Sequence, residues 1–323
     1  MNTKLKNACF ASVAAASMFL CGSSMAADAG QGHDYRTFYT DGHIEYGKIS
    51  DSYNSDLTVY VAGNQFMVME DLIKDFQKNN PSVKKVYLET IPPGQILKGQ
   101  ILQQGKINGQ KTSKDPDLYG SVNLGHLQKL KDNGLMDYYM TYAHNKLELM
   151  VAKGNPKNVK GVEDLTRKDL VKSFPNPLTE GIYKFYGSQM LKDLGMYQEL
   201  THDKQCKGCW AVEGETYYTD RHHRETPHRI ENGKADVGIV WTTEVKYNKS
   251  LGRALEGVEI PAPYNMADKV GYSIGILKTA KNQENAKRYL TYLTTDSAQN
   301  IYAKYGFVKA NAQDLKIKPI PGK

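Results

Sequence analysis

The densest concentration of chemically useful side chains is Arg221-His222-His223-Arg224-Glu225-Thr226-Pro227-His228-Arg229. Arginine forks match carboxylates and oxyanions bidentately, and histidines add donors when protonated. Anion contact by Arg221, His222, His223 and Arg224 is therefore the leading reading. A metal site competes, but the contiguous pair His222-His223 cannot easily face one ion. A basic surface loop is the plainest alternative. Thr226 is placed to cap a short helix that Pro227 would begin.

Cys206 and Cys209 lie in Cys-Lys-Gly-Cys-Trp. Trp210 stands where covalent haem attachment needs histidine, and no βαβ context supports a thioredoxin-like redox pair. A disulfide is the default in an oxidising compartment, and half a zinc site with His202 stays open. No Gly-x-Ser-x-Gly elbow, His-Glu-x-x-His helix or phosphate-binding loop occurs, so the chain reads as a non-enzyme with no cofactor.

The elements that must position these groups alternate. Leu57–Ala62 is a β-rich run ending at Gly63-Asn64. Met69, Leu72, Ile73 and Phe76 then recur at helical spacing, and Asn79-Asn80-Pro81 stops that helix before a strand at Val83–Glu89. The same alternation predicts a helix near Gln95–Gln104, a strand at Asp117–Val122, a helix at Asn123–Asp132 and a strand at Lys146–Ala152. Later elements are a strand near Leu170–Phe174, a helix from Gly181 to Leu194, strands at Ala235–Trp241 and Val270–Leu277, and helices near Gln283–Thr294 and Ser297–Lys304. Such order predicts α/β architecture with mainly parallel sheets flanked by helices. Residues 27–56 are polar and aperiodic and are expected to drape over the fold or stay partly disordered, adding nothing to the core. Within them His33, Asp34, Asp41, His43 and Glu45 could ligate a metal, although their loose spacing matches no ligand motif.

Ligands of open parallel sheets bind outside the carboxyl ends of the strands, where helix N-termini aim their N–H groups. That places Asn64, Gln65, Gly94, Gln95, Ser121 and Asn123 as first-lobe contacts, with ordinary cap and turn roles as the competing reading. Thr242, after Trp241 at a strand end, and Tyr272 could line the cleft and its hinge, while Trp241 itself reads as core. Tyr138-Tyr139 and Tyr217-Tyr218, among 22 tyrosines, raise ferric-ion coordination as a rival, but paired tyrosines are common in strands.

Lys4 and Lys6 precede an apolar run from Ala8 to Leu20, and Ser24-Met25-Ala26 supplies small residues, as in a secretory signal peptide cleaved near Ala26. The run, about a dozen residues, is shorter than the roughly 20 that span a bilayer. Cys21 could carry a lipid, but bulky Met18-Phe19-Leu20 precede it where processing needs small residues. Removing residues 1–26 deletes two lysines and no acids, so the formal charge falls from +7 to 40 − 35 = +5. The basic residues are scattered rather than striped, which argues against nucleic-acid binding. A mature chain of this length usually divides into two domains.

The ordered segments Val61-Ala62-Gly63-Asn64, Asp115-Pro116-Asp117-Leu118-Tyr119-Gly120-Ser121-Val122-Asn123, Asn145–Pro156, Val162-Glu163-Asp164-Leu165 and Ile230–Val240 resemble the type II periplasmic solute-binding proteins of ABC transporters, particularly the molybdate- and sulfate-type branch. The resemblance implies two α/β lobes, 57–144 plus 261–323 and 145–260, that close on a solute in the cleft between them. It also implies a monomer in the periplasm that serves a membrane permease. The solute would be a small anion: molybdate, tungstate, sulfate or a small carboxylate; a metal or metal-chelate binding protein, and an adhesin or sensor reusing the fold, are the rival readings. Where the molybdate group commonly has serines, this chain has Gly63-Asn64-Gln65 and Pro93-Gly94-Gln95.

Overall fold

The computed structural model describes residues 34–322, apart from Gln104, Asn108, Arg221 and His223. The expected signal peptide, Cys21 and His33 lie outside the described residues, as do Arg221 and His223 of the basic cluster.

Two sheets form the frame, one of nine strands and one of six. The β-α-β unit read from the sequence sits at the heart of the first. Strand Leu57–Ala62 is buried along its whole length and pairs in parallel with Lys85–Ile91 on one side and Leu118–Ser121 on the other. A strand buried on both faces cannot alternate in polarity, which explains its continuous Leu-Thr-Val-Tyr-Val-Ala run. The helix Met69–Asn79 covers it with Met69, Leu72, Ile73 and Phe76, all at the predicted helical spacing. Burying four such side chains contributes roughly 6–12 kcal/mol before chain entropy is counted.

The second sheet runs Leu147–Ala152, Val237–Trp241 and Lys172–Phe174 through its centre. The chain passes between sheets twice, at residues 145–146 and 260–270. Helices pack on the sheets, giving the expected α/β, two-lobe architecture; the sheets are mixed rather than mainly parallel, because the strands on either side of each inter-sheet crossing pair antiparallel with their neighbours.

Three expectations need correction. Residues 27–56 were expected to lie outside the core. Instead Tyr35–Tyr39 pairs antiparallel with Lys85–Ile91 on one side and with Ile44–Tyr46 on the other, and Phe38 is buried in the main core. Arg36 is also buried, and its guanidinium donates to the Phe66 carbonyl at 2.8 Å. The tail reads as polar because it folds with polar side chains inside: Arg36, Thr37, Asp51 and Ser52 are all buried. Second, Tyr138–His144 is a strand beside Gly271–Ile276 that no local pattern marks. Third, the helix beginning near Pro227 starts earlier, at Glu225. The Glu225 carboxylate accepts from the His222 and Asp220 N–H groups, while Thr226 is buried against Ser173 instead of capping.

Two of the predicted helices contain π-helical turns, Ile96–Ile101 and Ile182–Gly187. The first is registered by a bond from the Leu102 N–H to the Leu97 carbonyl. Such turns are uncommon and concentrate at functional sites.

Candidate functional site

A cleft of about 360 Å³ lies between the two sheets. Its first wall is built from the loops that follow three parallel strands of the nine-stranded sheet: Gly63-Asn64, Pro92-Pro93-Gly94-Gln95 and Val122-Asn123. Gly63 is there because a Cβ would press on the Thr90 carbonyl oxygen at 3.1 Å, so the loops approach one another closely only with glycine. The opposite wall comes from residues 178–185 with His222 and Trp241. One end is closed by the Tyr186 hydroxyl, which donates to the Val122 carbonyl across the lobes at 2.6 Å.

Five predicted residues line the cleft: Asn64, Gly94, Gln95, Asn123 and His222. Asn123 also caps the helix Leu124–Asp132, its Oδ1 accepting from the Gly125 N–H at 2.9 Å, so the two roles weighed for it coexist. His222 Nδ1 accepts from the Arg224 N–H at 3.0 Å and from Nε at 3.2 Å. A neutral His222 therefore carries its proton on Nε2, as a donor.

The other predicted residues act from behind the wall. Ser121 is fully buried; its Oγ stands 2.9 Å from His126 Nδ1 and accepts from the Asn123 N–H at 3.0 Å. Gln65 lies in the core, where its Oε1 accepts from the Tyr142 and Tyr302 hydroxyls at 2.9 and 3.2 Å. Tyr272 is buried at the hinge. Its hydroxyl oxygen accepts from the Asn64 amide and, at 3.1 Å, from the Asn145 amide, which also donates to Thr243. The cleft floor is thereby wired to the first inter-sheet crossing. Thr242 is buried at the start of the helix Thr242–Ser250, outside the cleft lining. Arg224 was expected to touch solute; it instead stacks over Phe66, 4.9 Å from the ring centroid, and pairs with Asp34 at 3.5 Å. This strut joins the N-terminal strand to the other lobe.

Residues that the sequence reading missed complete the wall: Lys98, His126, Lys184, Glu180 and Phe185. His126 is the third residue of its helix, a first-turn position that strand-loop-helix geometry brings to the cleft. Its ring is pinned at Nδ1 by Ser121 and, at 3.2 Å, by the Tyr119 hydroxyl, which itself donates to the Pro93 carbonyl. Desolvation pushes its pKa down to about 4, reinforced by the cationic Lys129, Lys98 and Lys184. The imidazole is neutral at pH 7. Glu180 is buried, and its Oε1 accepts from the Asn176 N–H and the Thr219 hydroxyl.

Cys206 and Cys209 are joined as a disulfide, with Cα atoms 5.9 Å apart. Among the described residues no three His, Cys, Asp or Glu side chains gather as a metal site. Asp41 caps the His43 N–H, and Glu45 is engaged by Tyr39 and Lys48. The tyrosine pairs lie in strands; Tyr217 and Tyr218 donate to the Gly208 and Lys204 carbonyls. No described helix is long and apolar enough to cross a membrane.

Comparison with known proteins agrees with this architecture. A protein of Bacillus subtilis named as an ABC transporter substrate-binding lipoprotein is 22% identical over 254 residues, covering 78% of this chain and 85% of that one. The periplasmic molybdate-binding protein of Azotobacter vinelandii superposes with a TM-score of 0.58 at 20% identity, covering 79% of this chain and all of that one. PEB3 of Campylobacter jejuni, solved with L-phospholactate bound, gives a TM-score of 0.53 at 17% identity with the same coverage. The model of the family described as bacterial extracellular solute-binding protein matches residues 57–308, and the chain belongs to that family.

Proposed function

We propose that the chain is the periplasmic capture subunit of an ABC-type importer, holding a small anionic solute between its lobes and presenting it to a membrane permease. The observation that carries this reading is the cleft itself: lysines from both lobes, amide and imidazole groups and the N-terminus of the helix Leu124–Asp132 converge on one space. Helix N-termini and cationic side chains favour negative charge there. Solute bridging Lys98 and Lys184 would draw the lobes together, and the hydrogen-bonded hinge at Tyr272 would set the angle at which they close. The named function of the Bacillus subtilis relative supports the importer assignment, and the molybdate- and phospholactate-binding neighbours support an anion. On this reading the chain works as an exported monomer, without catalysis, cofactor or nucleic acid.

The test is a thermal-shift series with molybdate, tungstate, sulfate, phosphate and small carboxylates on the mature protein. A ligand bound only by the folded state stabilises it by about 2.7 kcal/mol at a hundred times its Kd. An unchanged melting temperature with every anion would refute the proposal.

A further inference from the structure

Lys98 and Lys184 reach the cleft from opposite lobes, each carried on one of the two π-helical turns. Both side chains are solvent-exposed, and among the described residues neither forms an ion pair, whereas the less exposed Arg224 and Arg229 pair with Asp34 and Glu225. Two cations reaching one space from opposite lobes give it a positive field that favours a solute with negative charge to share between them.

Volume and lining add a second constraint. The cleft of about 360 Å³ corresponds to roughly a dozen waters at about 30 Å³ each. Before the lobes close, an ion of one centre and four oxygens leaves most of that space unfilled, so they would have to close further on it than on a larger solute. Part of the wall is carbon: Phe185, Leu178, Ile182 and Val122. Phe185 and Leu178 are 38% and 50% exposed, unusually open for large apolar side chains beside a charged site. A bare oxyanion has nothing to set against them, whereas a carbon body would cover them.

We infer that the cleft takes an organic dianion, its charged head at Lys98, Lys184 and His126 and its carbon body against Phe185 and Leu178. This rests on the solute-binding reading above and narrows it. Both a phosphomonoester and a dicarboxylate carry the required chemistry.

Isothermal titration of the mature protein with sulfate, molybdate, phenyl phosphate and phenylsuccinate tests it. At least one organic dianion should bind ten or more times tighter than either inorganic ion, and which one does so identifies the head group. Phe185→Ala should weaken that organic ligand about tenfold more than it weakens sulfate, with circular dichroism confirming the fold. Lys98→Gln should weaken every anion that binds. Inorganic ions binding as tightly as the organic ones, or an organic affinity indifferent to Phe185→Ala, would overturn the inference while leaving anion capture intact. Binding of none of the four would overturn both.

Discussion

Glu89 offers the sharpest physical test of how the cleft is supported. It is fully buried on strand Lys85–Ile91, and its Oε1 accepts from the Gln100 amide at 2.7 Å. Gln100 belongs to the π-helical turn that carries Lys98, so this bond ties the cleft lysine to the sheet. Glu89 Oε2 and Gln100 Oε1 are both buried acceptors without a donor. A proton on the carboxyl supplies a donor to that surplus of acceptors. Desolvation, opposed by the Gln100 bond and aided by nearby Asp34, raises the Glu89 pKa from 4.5 to about 8. The folded chain thus keeps a proton that the unfolded chain has released, and the associated stability is complete below pH 4.5 and lost as pH rises through about 8. Each pH unit in that window costs about 1.4 kcal/mol, so the loss between pH 5 and pH 8 reaches about 4 kcal/mol. Glu89→Gln preserves the shape and the amide partner but cannot ionise. Guanidinium denaturation at pH 5, 6, 7 and 8 should show the variant gaining on the wild-type protein with each step, by several kcal/mol at pH 8. Parallel stability curves for the two proteins would refute the reasoning.

Two further outcomes follow from the cleft and its scaffold. Because His126 is neutral when Lys98, Lys184 and Lys129 face it without an anion, ligand binding should draw a proton onto it. Wild-type affinity should therefore rise relative to His126→Gln as pH falls from 7.5 to 5.5, by up to about tenfold per unit; titration in buffers of different ionisation enthalpy would count the proton, and identical pH slopes would contradict the role. Gly238→Ala would drive a Cβ into the Thr226 methyl and to 2.8 Å from the Ser173 carbonyl oxygen. Overpacking of this kind should cost about 1–3 kcal/mol and displace the helix that follows His222, weakening anion binding as well; a chain with unchanged melting temperature and affinity would contradict it.

Legibility varied with how local each determinant is. The unit from Leu57 to Ile91 could be read because strand composition, helical spacing and the Asn-Pro stop all lie within some 35 residues. The strand Tyr138–His144 could not, since its partner Gly271–Ile276 lies far along the chain and Tyr-Tyr-Met-Thr-Tyr-Ala-His carries neither alternation nor bounding turns. Asn64, Gly94, Gln95 and Asn123, read as strand-end loops, do line the cleft, because that position follows from topology. Side chains one step further on were hidden. Lys98 and Lys184 depend on π-helical turns that no residue pattern announces, and His126 needed the first helical turn to be counted as part of the site. The basic cluster drew attention by density alone, yet of its described members His222 lines the cleft while Arg224 is spent on Phe66 and Asp34.

The chain has only two indoles, and their situations differ. Trp210 stands on the strand next to the disulfide loop, against the Tyr217 ring. Trp241 is nearly sealed from water at the cleft floor, edge-on to Tyr186, whose hydroxyl latches the far lobe. With so many phenols around it, excitation energy absorbed by tyrosines funnels toward an emitter in the wall of the cleft. Nature has left this carrier with a built-in optical gauge, readable in a cuvette without label or engineered probe.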